Sequence, residues 1–133
     1  LKMGKKIQLH GEGKSERSFV HIRDVVEATM KVAEKGTNGE IYHISPSDNQ
    51  ISIFSLVKMI CNMMDINFEN SVELITNNYG QDSKFSISSK KIGSQLGWEP
   101  KISLEEGIQE TIDWIEYNWK TISGMPLEYI HKT

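Results

Sequence analysis

The chain has 133 residues, a formal net charge of −3, 38% hydrophobic and 25% charged residues, and a single cysteine. These values predict one globular domain rather than a disordered chain, and the lack of a broad basic field argues against nucleic acid as a partner. No apolar run approaches the ~20 residues needed to cross a bilayer, and the lone Cys61 allows no internal disulfide, which fits a cytoplasmic protein.

The beginning of the chain predicts two strands and then a helix. Alternating apolar residues predict a strand at Lys6–His10, followed by a glycine-rich turn, GEGKSE, and a second strand at Arg17–Ile22. Asp24 suits the N-cap of a helix, because its carboxylate can accept from the free amides of the first turn. Glu27, three residues on, would complete a capping-box-like pattern, and Gly36 would end the helix.

The middle of the chain continues the alternation of strands and helices. Gly39–Ser45 predicts a third strand, and Ser52 is placed to cap an apolar helix over Ile53–Met64 that we expect to be buried. Val72–Thr76 predicts a further strand, and Lys84–Ile87 a short extended piece.

The last third of the chain predicts two helices. Ser88 or Ser89 would cap a brief helix that ends near residue 97, and Ser103 and Glu106 form a capping box for a final helix over about Leu104–Trp119. Four residues of that helix have helical spacing and are expected to face the core: Ile108, Ile112, Ile115 and Trp119. The fold class predicted for the whole chain is mixed α/β, with short strands and about four helices.

The sequence contains few catalytic motifs. The GEG of Gly11–Gly13 is followed by a predicted strand, which favours a plain turn over a dinucleotide fingerprint. The histidines and Cys61 lack metal-ligand spacing, so no metal site is predicted, and no nucleophile elbow marks a serine triad. We expect Cys61 to be an inert core thiol, and Trp98 and Trp114 to be packing anchors.

Arg17 is the candidate binding residue, because it opens a short apolar strand that leads into a helix. A guanidinium beside a strand can bind a phosphate through two parallel hydrogen bonds, and Lys84 could add to such an anion pocket. The alternative is a solvated arginine paired with Glu16 or Asp24. The residues by themselves favour this alternative.

Four stretches of sequence, in order, carry a resemblance to a known family. They are GKKIQLHGEGKSERSFVHIRDVVEA at 4–28, GEIYHIS at 39–45, NYGQDSKFSIS at 78–88 and, most specifically, LGWEPKISLEEGI at 96–108. Together they resemble the region that follows the catalytic domain in extended short-chain dehydrogenases/reductases. The members concerned are the NAD-dependent sugar-nucleotide epimerases and 4,6-dehydratases, and the likeness covers nearly the whole chain.

The resemblance implies a fold and a set of binding residues. Residues 1–133 would form a single C-terminal substrate-binding lobe, a fragment of a longer enzyme whose Rossmann domain is absent here. In this family the strand matching Gln8, Leu9 and His10 lies against the base of the sugar nucleotide. The arginine matching Arg17 holds the diphosphate or ribose.

Two further candidate residues depart from the family pattern. Many 4,6-dehydratases have Arg-Pro-Gly-His-Asp where this chain has residues 78–82, so a second diphosphate-binding arginine is replaced by Asn78. An asparagine can donate a hydrogen bond but carries no charge. Lys84 stands where arginine is frequent in the family and could compensate in part. Asn78 and Lys84 are therefore included among the expected substrate-binding residues.

The resemblance assigns the chemistry to another part of the parent enzyme. The glycine-rich NAD loop and the YxxxK pair of the family do not occur here, so we expect no catalytic, cofactor-binding or metal residue and no activity from the chain alone. The expected partners are a sugar nucleotide and an N-terminal Rossmann domain of the same polypeptide that holds NAD. The parent would be a cytoplasmic lyase or isomerase of polysaccharide synthesis. The alternative is a free-standing sugar-nucleotide-binding or assembly module without catalysis.

Overall fold

A computed structural model describes residues 1–46, 50–77 and 82–126. Four short strands and six α-helices follow one another along these residues, and a 3-10 turn at Gly11–Gly13 follows the first strand. The strands are β1 (Ile7–His10), β2 (Glu16–Ser18), β3 (Gln50–Ser52) and β4 (Val72–Ile75). The helices are α1 (Ile22–Lys35), α2 (Ile53–Met63), α3 (Phe68–Ser71), α4 (Lys90–Leu96), α5 (Leu104–Tyr117) and α6 (Trp119–Ile122). The predicted mixed α/β class is confirmed.

The strands form two separate ladders of two strands each. β1 and β4 pair in parallel, with Ile7 opposite Val72 and His10 opposite Ile75. β2 and β3 pair in the antiparallel direction, with Arg17 opposite Ile51. The glycine turn leads the chain out of the first ladder and into the second, so the end of β1 lies close in sequence to the start of β2.

The glycine turn is fixed by its close approach to α2. Gly11, Glu12 and Gly13 all have positive φ, at 59°, 56° and 68°. A Cβ placed on Gly13 would lie 2.8 Å from the backbone nitrogen of Phe54. Because both the conformation and the contact exclude a side chain, glycine is required at this position. The plain turn predicted for GEG is confirmed, and β2 follows it.

The first of two apolar clusters packs α2 on the parallel ladder. Val57 and Cys61 of α2 contact Leu9 of β1 and Val72 of β4, and all four are buried. Desolvation by this burial raises the pKa of the Cys61 thiol, which leaves little of the reactive thiolate at neutral pH. The prediction that Cys61 lies in the core is confirmed.

The second cluster joins α1 to α4 through a tryptophan. Ala28, Ile92 and Trp98 are almost fully buried, and the indole Nε1 of Trp98 donates to the carbonyl of Asp24 at 3.0 Å. The prediction for Trp98 is therefore confirmed. The same prediction for Trp114 is wrong, because that side chain is 60% exposed.

Two of the helix caps predicted from local sequence are confirmed. Ser52 accepts from the backbone N–H of Ser55 at the start of α2. At the start of α5, Ser103 accepts from the N–H of Glu106, and the Glu106 carboxylate accepts from the N–H of Ser103 at 2.9 Å. α4 begins after Ser89 and ends at a left-handed glycine, residue 97. Strands β1 and β4 also lie where they were predicted.

The predicted N-cap of α1 is wrong. His21 occupies the cap, and its Nδ1 accepts from the N–H of Arg23 at 3.3 Å. Asp24 lies inside the first turn and is only 3% exposed, because it binds residues far along the chain. Glu27 does not complete a capping box, since its carboxylate binds Lys101 Nζ at 2.9 Å.

The strands predicted around α1 are also corrected. The second strand covers only Glu16–Ser18, because the chain turns at Phe19 and Val20 to enter α1. The third, Gly39–Ser45, forms no ladder with any described strand. Its side chains nevertheless alternate as a strand's would, with Tyr42 and Ile44 packed on the cluster of α1 and α4 and Ile41 71% exposed. The predicted alternation of side chains is therefore correct, but no described strand pairs with these residues.

The last helix is shorter and less buried than predicted. α5 ends at Tyr117, and a break at Asn118 separates it from α6, so one predicted helix becomes two. The four apolar residues expected in the core, Ile108, Ile112, Ile115 and Trp119, are half-buried and line an open groove. None of the described helices is both long enough and apolar enough to span a membrane.

Candidate functional site

A cleft of about 460 Å³ opens beside the end of β1. It is lined by six residues from β1, β2 and the segments next to them: Gln8, Leu9, His10, Ser15, Arg17 and Ile53. Its volume lies within the range of about 300–1,000 Å³ that is typical of small-molecule sites. The glycine turn makes the cleft, because it returns the chain so that β2 begins next to the end of β1.

Arg17 is the positively charged wall of this cleft. Its Nη1 donates to the carbonyl of Glu16 at 2.7 Å and its Nη2 to the carbonyl of Asp82 at 3.0 Å. These carbonyls orient the guanidinium without neutralising its charge. Among the described residues no carboxylate forms an ion pair with Arg17, so the alternative in which it pairs with Glu16 or Asp24 does not hold there. Its remaining N–H donors are free to bind an anion.

A second, smaller concavity meets the first at Arg17. It measures about 150 Å³ and is bounded by Arg17, Ser18, Ile44, Phe85 and Ile87, among others. Arg17 therefore stands between two hollows and borders both. Such a position suits a residue that binds the middle of an extended ligand.

The segment that contains Lys84 lies alongside β2. The N–H of Glu16 donates to the carbonyl of Ser83 at 2.8 Å, and Glu16 and Lys84 form an isolated parallel bridge. This pairing also brings the carbonyl of Asp82 to Arg17. Lys84 Nζ lies 3.1 Å from a Glu16 carboxylate oxygen, so its charge is already countered by a carboxylate.

The other predicted binding residues fall into three groups. Leu9 lines the cleft but is otherwise buried in the core, while Gln8 and His10 are exposed beside it. The Gln8 amide donates to Glu73 on β4 at 3.1 Å, which holds the strand edge in place. Asn78 lies outside the described residues. The structure thus brings Gln8, Leu9, His10 and Arg17 to one cleft and places Lys84 against Glu16.

Sequence reasoning missed two residues of the cleft, Ser15 and Ile53. Ser15 is two positions from Arg17, and residues i and i+2 of an extended chain share a face, so that spacing could have revealed it. Ile53 enters through the register of β2 on β3, with its N–H donating to the carbonyl of Ser15 at 3.0 Å. No local signal in the sequence specifies that pairing.

The described residues do not fit a dinucleotide cofactor or a metal. The glycine turn leads into a strand, and Gly13 packs on Phe54, so there is neither a helix N-terminus nor open space to hold a pyrophosphate in the way a Rossmann loop does. No group of three or more potential metal ligands comes together in the described ranges.

Comparison with known proteins gives consistent matches. A family model described as GDP-mannose 4,6 dehydratase matches residues 1–111. The dTDP-D-glucose 4,6-dehydratase of Homo sapiens is 34% identical over 130 residues, which cover 92% of this chain and 37% of that protein.

Solved structures extend these matches to the fold. The dTDP-glucose 4,6-dehydratase of Bacillus anthracis, in complex with NAD, has a TM-score of 0.80 at 32% identity, over 90% of this chain and 37% of that one. The UDP-glucose 4-epimerase of Thermotoga maritima, with UDP-glucose, has a TM-score of 0.78 at 28% identity, over 88% and 37% of the two chains. The chain spans a little more than a third of the length of these relatives.

Proposed function

Because this chain belongs to the GDP-mannose 4,6-dehydratase family of extended short-chain dehydrogenases/reductases, we propose that it binds the nucleoside diphosphate of a sugar nucleotide. The enzyme it serves would be an NAD-dependent sugar-nucleotide 4,6-dehydratase or epimerase. Residues 1–133 would be its C-terminal substrate-binding lobe. The ligands of two relatives, NAD in the Bacillus anthracis enzyme and UDP-glucose in the Thermotoga maritima enzyme, support this assignment.

The observation that carries the proposal is the state of Arg17. Arg17 is half-buried and lines the cleft, and its guanidinium donates to two carbonyls and forms no ion pair with any described carboxylate. A planar cation with free N–H donors binds a phosphate oxygen pair in the forked geometry that a diphosphate offers.

The two ends of the cleft would bind different parts of the ligand. The edge of β1 at Gln8, Leu9 and His10 would lie against the base, and Arg17 would bind the diphosphate. The sugar would then project away from this lobe toward the part of the enzyme that holds NAD. NAD held by that part of the enzyme would supply hydride chemistry at C4 of the sugar. The residues of this chain bind and orient the substrate for that step.

Lys84 and Asn78 are further candidates for binding the diphosphate. Lys84 could reach a phosphate only by leaving Glu16, so we assign it a smaller contribution than Arg17. We assign Asn78 the role of an uncharged donor to the same phosphate.

We place the enzyme in the cytoplasm as a lyase or isomerase that prepares sugars for polysaccharide synthesis. Its single Cys61 can form no internal disulfide, which suits that compartment.

The test is Arg17→Ala in the complete gene product, with Arg23→Ala as the matched control. Arg23 is exposed and paired with Glu110, away from the cleft. Loss of a charge-assisted contact costs about 1.5–3 kcal/mol, so we expect KM for the sugar nucleotide to rise about tenfold or more in Arg17→Ala. Arg23→Ala should leave KM unchanged.

Calorimetric titration of the 133-residue chain with UDP and dTDP gives a second measurement. We expect binding that Arg17→Ala weakens and no turnover of the sugar nucleotide by the chain alone. A KM that stays the same in Arg17→Ala would remove the phosphate role. Turnover by the chain alone would contradict the assignment of catalysis to a separate domain.

A further inference from the structure

The hydroxyl of Ser15 is buried without a hydrogen-bond partner among the described residues. Ser15 is 5% exposed, and it lines the cleft together with Arg17. Buried polar atoms of folded proteins nearly always have a partner, because an unpaired one has lost its bonds to water and gained nothing in return. An unpaired hydroxyl in the wall of a cleft therefore needs a reason.

The backbone holds Ser15 beside Arg17. The N–H of Ile53 donates to the carbonyl of Ser15 at 3.0 Å, which continues the antiparallel ladder of β2 and β3 by one pair. Ser15 and Arg17 therefore belong to one extended segment and have their side chains on the same face. At about 3.4 Å per residue, their Cα atoms lie about 7 Å apart. The bond from Arg17 Nη1 to the carbonyl of Glu16 keeps the guanidinium next to the residue that separates them.

We propose that Ser15 binds the same anion as Arg17, with its O–H donating to a phosphate oxygen. The inference rests on the proposed function, because it takes the cleft to bind a nucleoside diphosphate. A hydroxyl is a donor that a phosphate oxygen accepts, and a hydrogen bond to a charged acceptor is stronger than one between neutral groups. Arg17 supplies the charge, and Ser15 adds a short neutral donor on the same face of the strand.

The hydroxyl reaches the ligand by turning about the Cα–Cβ bond. Its oxygen has almost no accessible surface in the structure, so the ligand contacts it only after this turn. A serine side chain has three staggered positions about that bond, and the position seen holds no hydrogen bond to a described residue. The turn therefore breaks no such bond. Lys84, by contrast, has to leave the carboxylate of Glu16 before it can bind a phosphate.

This role gives Ser15 an unusual combination of expected effects. A hydroxyl that stabilises the fold loses stability when it is removed. The Ser15 hydroxyl has no described partner to lose, so we expect Ser15→Ala to leave the urea midpoint of unfolding unchanged or to raise it. The same variant should bind the ligand less tightly.

The experiment is a calorimetric titration of the complete gene product with UDP and with inorganic pyrophosphate. Pyrophosphate offers the phosphates without ribose or base, so we expect Ser15→Ala to raise the dissociation constants of both ligands about tenfold. Ser15→Cys nearly preserves the size of the side chain but replaces the hydroxyl by a thiol, which is a weak donor. It should weaken both ligands as well.

Ser94→Ala is the matched control for these titrations. Ser94 is exposed on α4, its hydroxyl donates to the carbonyl of Lys91, and it does not line the cleft. Both dissociation constants should therefore be those of the wild type.

Three results would overturn the inference. Ser15→Ala could bind both ligands as tightly as the wild type, it could weaken UDP but not pyrophosphate, which would place the hydroxyl at the ribose, or it could lower the urea midpoint, which would make Ser15 a structural residue. Arg17→Ala is titrated alongside to separate the two proposals. If Arg17→Ala weakens both ligands and Ser15→Ala weakens neither, only the role of Ser15 fails. If the wild type binds neither ligand, the proposed function fails with it.

Discussion

Asp24 is the residue that fastens α1 to the segment before α5. Its Oδ2 accepts from the backbone N–H groups of Lys101 and Ile102, both at 3.1 Å, and its own carbonyl accepts from the indole of Trp98. The side chain is 3% exposed. A buried carboxylate is tolerated when it satisfies backbone donors that would otherwise have no partner.

Replacing Asp24 by alanine should therefore lower the free energy of unfolding more than an ordinary surface substitution does. Two N–H groups would lose their acceptor at a partly buried site, and we expect the free energy of unfolding to fall by about 2 kcal/mol or more. Urea unfolding measures the loss. Asp113→Ala removes an exposed aspartate bound only to Gln109 and should change stability by about 0.5 kcal/mol or less. Equal losses in the two variants would contradict this role for Asp24.

The position of Asp24 in α1 could not be predicted from the neighbouring residues alone. Aspartate is a preferred N-cap, which is why sequence reasoning placed it there. The bonds that in fact determine its position come from residues 77 and 78 places later in the chain. With Asp24 bound to that segment, the helix begins three residues earlier and His21 becomes the cap. Arg17 could be named as a candidate from sequence because it opens a short apolar strand, and its binding role stays a prediction.

Among the secondary-structure elements, α5 begins at a helix cap that the sequence predicts. Ser103 and Glu106 bind each other's backbone N–H groups, so the helix begins at Leu104 whatever packs on it. A capping box acts within four residues and therefore leaves a signature in the sequence.

This cap makes part of the stability depend on pH. Hydrogen bonds from the backbone N–H and the hydroxyl of Ser103 lower the pKa of Glu106. A carboxyl whose folded pKa is depressed stabilises the fold above its unfolded pKa, and that contribution is lost as the pH falls through the folded pKa. We expect the melting temperature to fall less between pH 5 and about pH 3 in Glu106→Gln than in the wild type.

Glu105→Gln is the control for that measurement, because it removes the same charge from the same turn without touching the Ser103 cap. Thermal unfolding followed by circular dichroism at several pH values records all three proteins. If Glu106→Gln and the wild type lose melting temperature in parallel on acidification, the cap does not carry the pH dependence assigned to it.

Elements that need a distant partner were predicted less well. β1 and β4 were found because each has its own apolar pattern, but their parallel pairing was not specified by either. Gly39–Ser45 has the alternation of a strand and no ladder among the described residues. The cleft follows the same division, since Arg17 was a candidate from its local sequence and Gln8 and His10 from the family resemblance, whereas Ile53 depends on the register of β2 on β3.

At the scale of the whole molecule, apolar surface remains uncovered on one side. Ile22, Val26 and Met30 of α1 are 66%, 55% and 53% exposed. Their spacing of four residues aligns them as a stripe along one face of the helix. Ile41, at 71%, is also exposed. A helix that carries an exposed apolar stripe in addition to its buried face is a surface suited to association.

The 133-residue chain is therefore expected to bind the dye ANS and to self-associate as its concentration rises, because the stripe offers apolar surface to water. Val26→Glu puts a charge in the middle of the stripe and should lower ANS fluorescence and light scattering without reducing stability, since the side chain is already more than half exposed. Thr37→Glu adds the same charge at an exposed position beyond the end of α1 and should change neither signal. A wild-type chain whose ANS fluorescence equals that of buffer, or a Val26→Glu variant that fluoresces as strongly as the wild type, would show that the stripe is not an accessible apolar surface.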